Sequence, residues 1–363
     1  MNVSPDSHGG RGNSPGHGPG SSHSSHNSCS GHGRTPSHGP GPAPGAAATT
    51  EDTVLVAPPV RTGTTTLPPA GRPPDADRPG TSGAAPRERR LAWAEWGPED
   101  GTPVLFSPGA ATSRSLGFGA GVVDALGVRL IALDRPGLGA STPAPGRTLD
   151  DFAADVAAFA RARRLGRPAM VGNSQGAPFA LACAARGVTG PLALVSGADE
   201  VAHPRFAEPP FTEALPAGLR RLVALATDEP GAAHAEFARF TPQAMWDMVL
   251  GSSPEVDRAV YERPDFAAAY RRALDEGFAQ GPDGYARDTV LAMGRWDIDL
   301  TAVRVPVDLW YGDADLGHSP DQGESLGARI PGARRHLLPG VGGALLWTHA
   351  ADVLRALLEG ART

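Results

Sequence analysis

The chain has 363 residues, and its 47 Gly and 37 Pro are nearly twice the share of an average globular chain. The formal net charge is −6 and every cation is an Arg, which speaks against the basic face of a nucleic-acid binder. Two cysteines, Cys29 and Cys183, make neither a disulfide framework nor a zinc motif, and no run of 18 apolar residues predicts a membrane span.

The excess of Gly and Pro is uneven. The first 85 residues hold 15 Gly and 14 Pro and few apolar residues, too few to offset the entropy of ordering. Residues 1–86 therefore read as a disordered tail, and 87–360 as one domain. Five Arg and five acids cancel within the tail, so the whole negative excess sits on the domain. Six histidines, from His8 to His38, lie in the tail and read as low-complexity sequence or a weak metal-binding tract. The N-terminus lacks a charged start followed by an apolar core, so no secretory signal is expected and the cytoplasm is the default.

Along the domain, apolar runs predict strands at 91–96, 104–106, 128–133, 168–171 and 191–195. Helical patterns fall between them at 116–126, 149–163 and 177–185. Asp150 and Asp151 sit near the start of the second helix, where the helix dipole favours them. Strands that are continuously apolar, in alternation with helices, predict an α/β fold with a buried, mostly parallel sheet flanked by helices. Residues 203–296 show only helical periodicity and read as a helical cap insertion. The strand–helix rhythm resumes at 307–311, 324–330, 335–338 and 345–358.

The pattern G-x-S-x-G occurs three times, centred on Ser14, Ser174 and Ser325. A nucleophile elbow needs a strand before the serine and a helix after it. Only Gly172-Asn173-Ser174-Gln175-Gly176 has both. Together with Asp134-Arg135-Pro136-Gly137-Leu138-Gly139-Ala140-Ser141, the Pro108–Arg114 segment and Gly312-Asp313-Ala314-Asp315, this elbow resembles the α/β-hydrolase superfamily over about residues 87–360. The resemblance implies Ser174 as nucleophile and the backbone N–H groups of Ala110 and Gln175 as oxyanion hole. It implies Asp315 as the acid that orients the base, with Asp313 and Asp199 as alternatives.

The family's base is a histidine after the last strand, in a P-G-x-G-H pattern. Here Pro339-Gly340-Val341-Gly342-Gly343 puts glycine at that position. Without an imidazole, the serine hydroxyl has no general base at neutral pH. His318, three residues past Asp315, and His203 are the replacements nearest the same sheet edge, while His336 and His349 read as structural. Pro108 likewise stands where the family usually places a histidine in the oxyanion loop. The expected function is hydrolysis of a small ester, lactone or other acyl substrate, with no cofactor or metal. The alternatives are a lyase- or cyclase-like member, or a binding protein that has lost its base. A small molecule is the one partner expected, with no nucleic acid and no membrane, and the sequence is silent on oligomeric state.

Overall fold

The computed structural model describes residues 54–68, 88–211 and 215–362, all within the unit Asp52–Thr363. Its strands are β1 (Arg61–Leu67), β2 (Arg89–Trp96), β3 (Thr102–Ser107), β4 (Val128–Leu133), β5 (Ala169–Ser174), β6 (Leu192–Gly197), β7 (Val307–Gly312) and β8 (Arg334–Leu338). They form one sheet in the order β1-β2-β4-β3-β5-β6-β7-β8. The β1–β2 and β2–β4 pairs are antiparallel, and every later pair is parallel.

Strands β6 and β7 are buried at every residue, as expected of parallel strands covered on both faces. Successive side chains alternate between two apolar layers. Val104, Phe106, Leu130 and Ala132 face one layer, and Leu105, Ile131 and Leu133 the other. Helices α2 (Leu149–Ala162) and α3 (Gly176–Ala185) fill the second layer. Thr148 and Asp151 close a reciprocal capping box at the start of α2.

Three sequence expectations change. Residues 61–67, assigned to the tail, form edge strand β1, registered from Arg61 opposite Glu95 to Leu67 opposite Arg89. Its Thr-rich run favours a strand, but the Gly and Pro around it hid that signal. Residues 116–126 hold only the short helix α1 (Val122–Ala125), because Gly119 and Gly121 adopt positive φ just before it. The predicted helix 345–358 is two helices. Residues 54–60 and 68 of the tail are described as well, with Leu55 and Val56 buried, while its histidines and Ser14 lie outside the described residues.

Between β6 and β7 the chain makes a helical insertion. It holds α4 (Ala217–Asp228), α5 (Pro230–Phe237), α6 (Pro242–Ser252), α7 (Glu255–Tyr261), α8 (Pro264–Gly277) and α9 (Asp283–Met293). After β7 come α10 (Glu324–Arg329), then β8, α11 (Leu345–Thr348) and α12 (Ala350–Gly360). The break falls at His349, where the Thr348 hydroxyl bonds His349 Nδ1 at 2.9 Å. Among the described residues, no helix is long and apolar enough to cross a membrane.

Candidate active site

Ser174 ends β5 and turns directly into α3. Its φ is 49°, in the left-handed region that non-glycine residues rarely occupy. The turn is tight enough that a Cβ at Gly176 would lie 2.0 Å from the Ser107 carbonyl oxygen, so only glycine fits there. The competing motif serine, Ser325, lies in the first turn of α10, where its hydroxyl donates to Asp321.

The loop after β3 brings Gly109 against Ser174: a Cβ on Gly109 would lie 3.4 Å from Ser174 Cβ. A fully buried guanidinium fixes this loop. Arg135 donates to the carbonyls of Pro108 at 2.5 Å and Gly109 at 2.9 Å, and to Asp288 at 2.6 Å. With those carbonyls turned onto Arg135, the next N–H, that of Ala110, has no acceptor among the described residues. Ala110 and Gln175 line the same cavity as Ser174.

Three acids were candidates at the sheet edge, and their partners separate them. Asp313 is exposed and accepts the Gly340 N–H at 2.7 Å. Asp199 accepts the Ser319 hydroxyl at 2.9 Å and pairs with Arg329 at 3.3 Å. Burial raises its carboxyl to about 6. Asp315, buried just past β7, meets an imidazole: His318 Nδ1 lies 2.9 Å and 3.0 Å from its two carboxyl oxygens.

The His318 ring stands over Gly343. A Cβ at Gly343 would fall 2.8 Å from His318 Cε1 and 3.1 Å from Nδ1. The imidazole therefore occupies the space that a side chain at 343 would need. Burial works against a charged ring, but the charge and hydrogen bond of Asp315, with the charge of Asp257, lift the His318 pKa above the ordinary value. Burial pushes the Asp315 carboxyl up, and the charge and hydrogen bond of His318, with the Gly317 N–H and the Ser196 hydroxyl, together leave the pKa below the usual value. His318 and Ser174 line one cavity. Among the described residues, the Ser174 hydroxyl makes no hydrogen bond, to His318 or to any other group.

The other histidines are engaged elsewhere. His203 Nδ1 accepts the Arg205 N–H at 3.3 Å at the start of a short turn. His336 stacks on Trp310 and bonds Asp308 at 2.7 Å. His349 pairs with Thr348 at the helix break described above.

The cavity has a volume of about 370 Å³ and lies between the sheet ends and the helical insertion. Phe106, Leu222, Phe240, Met245, Tyr270 and Trp347 give it apolar walls. Of the insertion's aromatics, Phe237, Phe240, Tyr261, Tyr270 and Tyr285 reach the cavity. Phe206 and Phe211 pack edge to face on each other, while Trp246 and Phe266 are buried in the apolar core.

A family model described as the alpha/beta hydrolase fold matches residues 102–350. The chain belongs to that family. Over 93 residues it is 38% identical to a non-heme chloroperoxidase from Streptomyces lividans, a stretch covering 24% of this chain and 32% of that relative. The chain thus matches about a third of that protein's length. Among solved structures, an enol-lactonase from Burkholderia xenovorans is similar, with a TM-score of 0.53 and 19% identity over 76% of this chain and 97% of that one. A probable hydrolytic enzyme from Pseudomonas aeruginosa has a TM-score of 0.58 and 16% identity, over 84% and 95% of the two chains. At such identities the likeness is one of fold.

Two residues of this α/β-hydrolase-fold chain went unread in the sequence. Arg135 was visible only as part of a loop motif, with nothing to say that its guanidinium would gather the Pro108 and Gly109 carbonyls. Asp257, on α7, accepts the N–H groups of Gly343 at 2.7 Å and Ala344 at 2.9 Å. No local signal links it to residues 86 positions away.

Proposed function

We propose that this protein is a serine hydrolase acting on a small, neutral, largely apolar ester, lactone or similar acyl compound, with His318 as the base. The observation that carries the reading is the His318 ring, bonded to Asp315 and lying in the space left by Gly343. In the reaction, Ser174 Oγ attacks the carbonyl carbon as its proton passes to His318. With Nδ1 engaged by Asp315, Nε2 is the nitrogen left to take that proton. The N–H groups of Ala110 and Gln175 receive the developing oxyanion. As the tetrahedral species collapses, the C–O bond to the alcohol breaks and His318 returns the proton to the leaving oxygen. Water then attacks the acyl-serine, His318 accepts its proton, and the acid is released as Ser174 is reprotonated.

The substrate class rests on the cavity wall. Among the described residues no Arg lines it, and the one carboxylate there is Asp199, so no permanent cation waits for an anionic substrate. The insertion acts as a cap, and its Leu222, Phe237, Phe240, Met245 and Met293 offer apolar surface to the acyl chain. A base-less binding protein is the rival reading; it rested on Gly343, with Pro108 as a second departure, and an imidazole beside Gly343 weighs against it.

Assay of the full chain against p-nitrophenyl acetate, butyrate and hexanoate and a γ-lactone tests the proposal. Turnover is expected, and Ser174→Ala should lower kcat by about 10³-fold or more. Turnover that survives Ser174→Ala, or none with any of these compounds, would overturn it.

A further inference from the structure

The helical insertion contributes a carboxylate to the neighbourhood of the base. Asp257 sits on α7, and its two oxygens take the N–H groups of Gly343 and Ala344. The fit is close. A Cβ at Gly342 would lie 2.3–2.5 Å from the Asp257 carboxylate atoms, so a second glycine lets it approach the backbone. The position of a Cβ on Gly343 is 3.5 Å from Asp257 Oδ2 and 2.8 Å from His318 Cε1, so carboxylate and imidazole both lie close to one point.

Three elements besides its own loop pack around His318. Its own loop supplies Asp315, bonded to Nδ1. The segment after β6 supplies Asp199, whose backbone N–H donates to the His318 carbonyl at 3.1 Å and whose carboxylate is turned to Ser319 and Arg329. Helix α7 supplies Asp257 and, one turn later, the buried Tyr261, whose phenol is held neutral by burial. The Gly343–Ala344 segment brings only backbone.

We infer that Asp257 is a positioning residue for the base. It pins the Gly343–Ala344 backbone on which the imidazole rests, and it places a second negative charge beside the imidazolium formed when Ser174 gives up its proton. This rests on the serine-hydrolase reading above. Its consequence is a tie between insertion and base, because Asp257 belongs to the insertion and the groups it grips belong to the core. The direction of the effect on His318 agrees, since the Asp257 charge helps raise that pKa.

The test is the pH dependence of kcat/KM for Asp257→Asn in the full chain, on the best p-nitrophenyl ester. The base works when neutral, so the acid limb reports the His318 pKa in the free enzyme. Removing the charge should move that limb to lower pH by about 0.5–1 unit and reduce plateau kcat by about 3–10-fold. Gly342→Ala, whose methyl group would push the Asp257 carboxylate away, should shift the limb in the same direction and covers the case in which Asp257→Asn does not fold. A limb that stays at the wild-type pH in whichever of these variants folds would overturn the inference, even where kcat falls, because a merely structural contact moves kcat without moving the limb. The two proposals fail differently. Absence of Ser174-dependent wild-type turnover defeats the hydrolase reading, while normal wild-type behaviour with unmoved limbs defeats only the role of Asp257.

Discussion

Gly343 and His318 form a matched pair. A residue that looked like a deletion of function leaves room for an imidazole arriving from the turn after β7. Gly343→Ala should therefore damage the enzyme. Its methyl carbon would sit 2.8 Å from His318 Cε1, so the ring must leave its present position against Asp315. A displacement of about 1 Å in a base costs on the order of 10²-fold. We expect kcat/KM to fall about 10- to 100-fold with the melting temperature nearly unchanged, as measured by steady-state kinetics and thermal unfolding. The sequence showed which histidines were available and that 343 was glycine. It could not show which imidazole fills the space, because that depends on how the Gly312–His318 turn folds back over residues 342–343.

The strand–turn–helix elements were the most legible part of the chain. Apolar runs marked β2 through β8, and Ser174 stood out because a buried strand precedes it and an Ala-rich helix follows. Contacts between elements were not legible, since they join residues far apart in sequence. Arg135 shows this best. Its guanidinium links the loop after β4 to the loop after β3 and to Asp288 on α9. Arg135→Met should leave two carbonyls unpaired and Asp288 facing Arg147 alone. Loss of one partner from such a buried ionic cluster costs about 3 kcal/mol, to be read from urea unfolding. Kcat should fall as well, because the Ala110 N–H loses its fixed aim.

At the scale of the molecule, the border drawn from composition fell on the wrong side of residues 61–67. Strand β1 carries Leu67, buried at 4% exposure, and its Arg61 pairs with the buried Glu95, which also holds Arg129 and Arg163. A window average cannot find seven ordered residues between Pro-rich segments. Leu67→Ala should cost about 2 kcal/mol in denaturant unfolding, since a buried leucine at an edge still loses its packing. No change in stability would return residues 61–67 to the tail.

Whether His318 is the base for Ser174 can be read from the rate at which a fluorophosphonate modifies that serine as pH is varied. In the wild type the rate should rise with pH through a midpoint above about 6.5, because Asp315 and Asp257 raise the imidazole and only its neutral form accepts the proton. His318→Ala should slow modification by about 10³-fold or more and abolish that rise, while His203→Ala should preserve both. Modification of His318→Ala at the wild-type rate, with the same dependence on pH, would contradict the account.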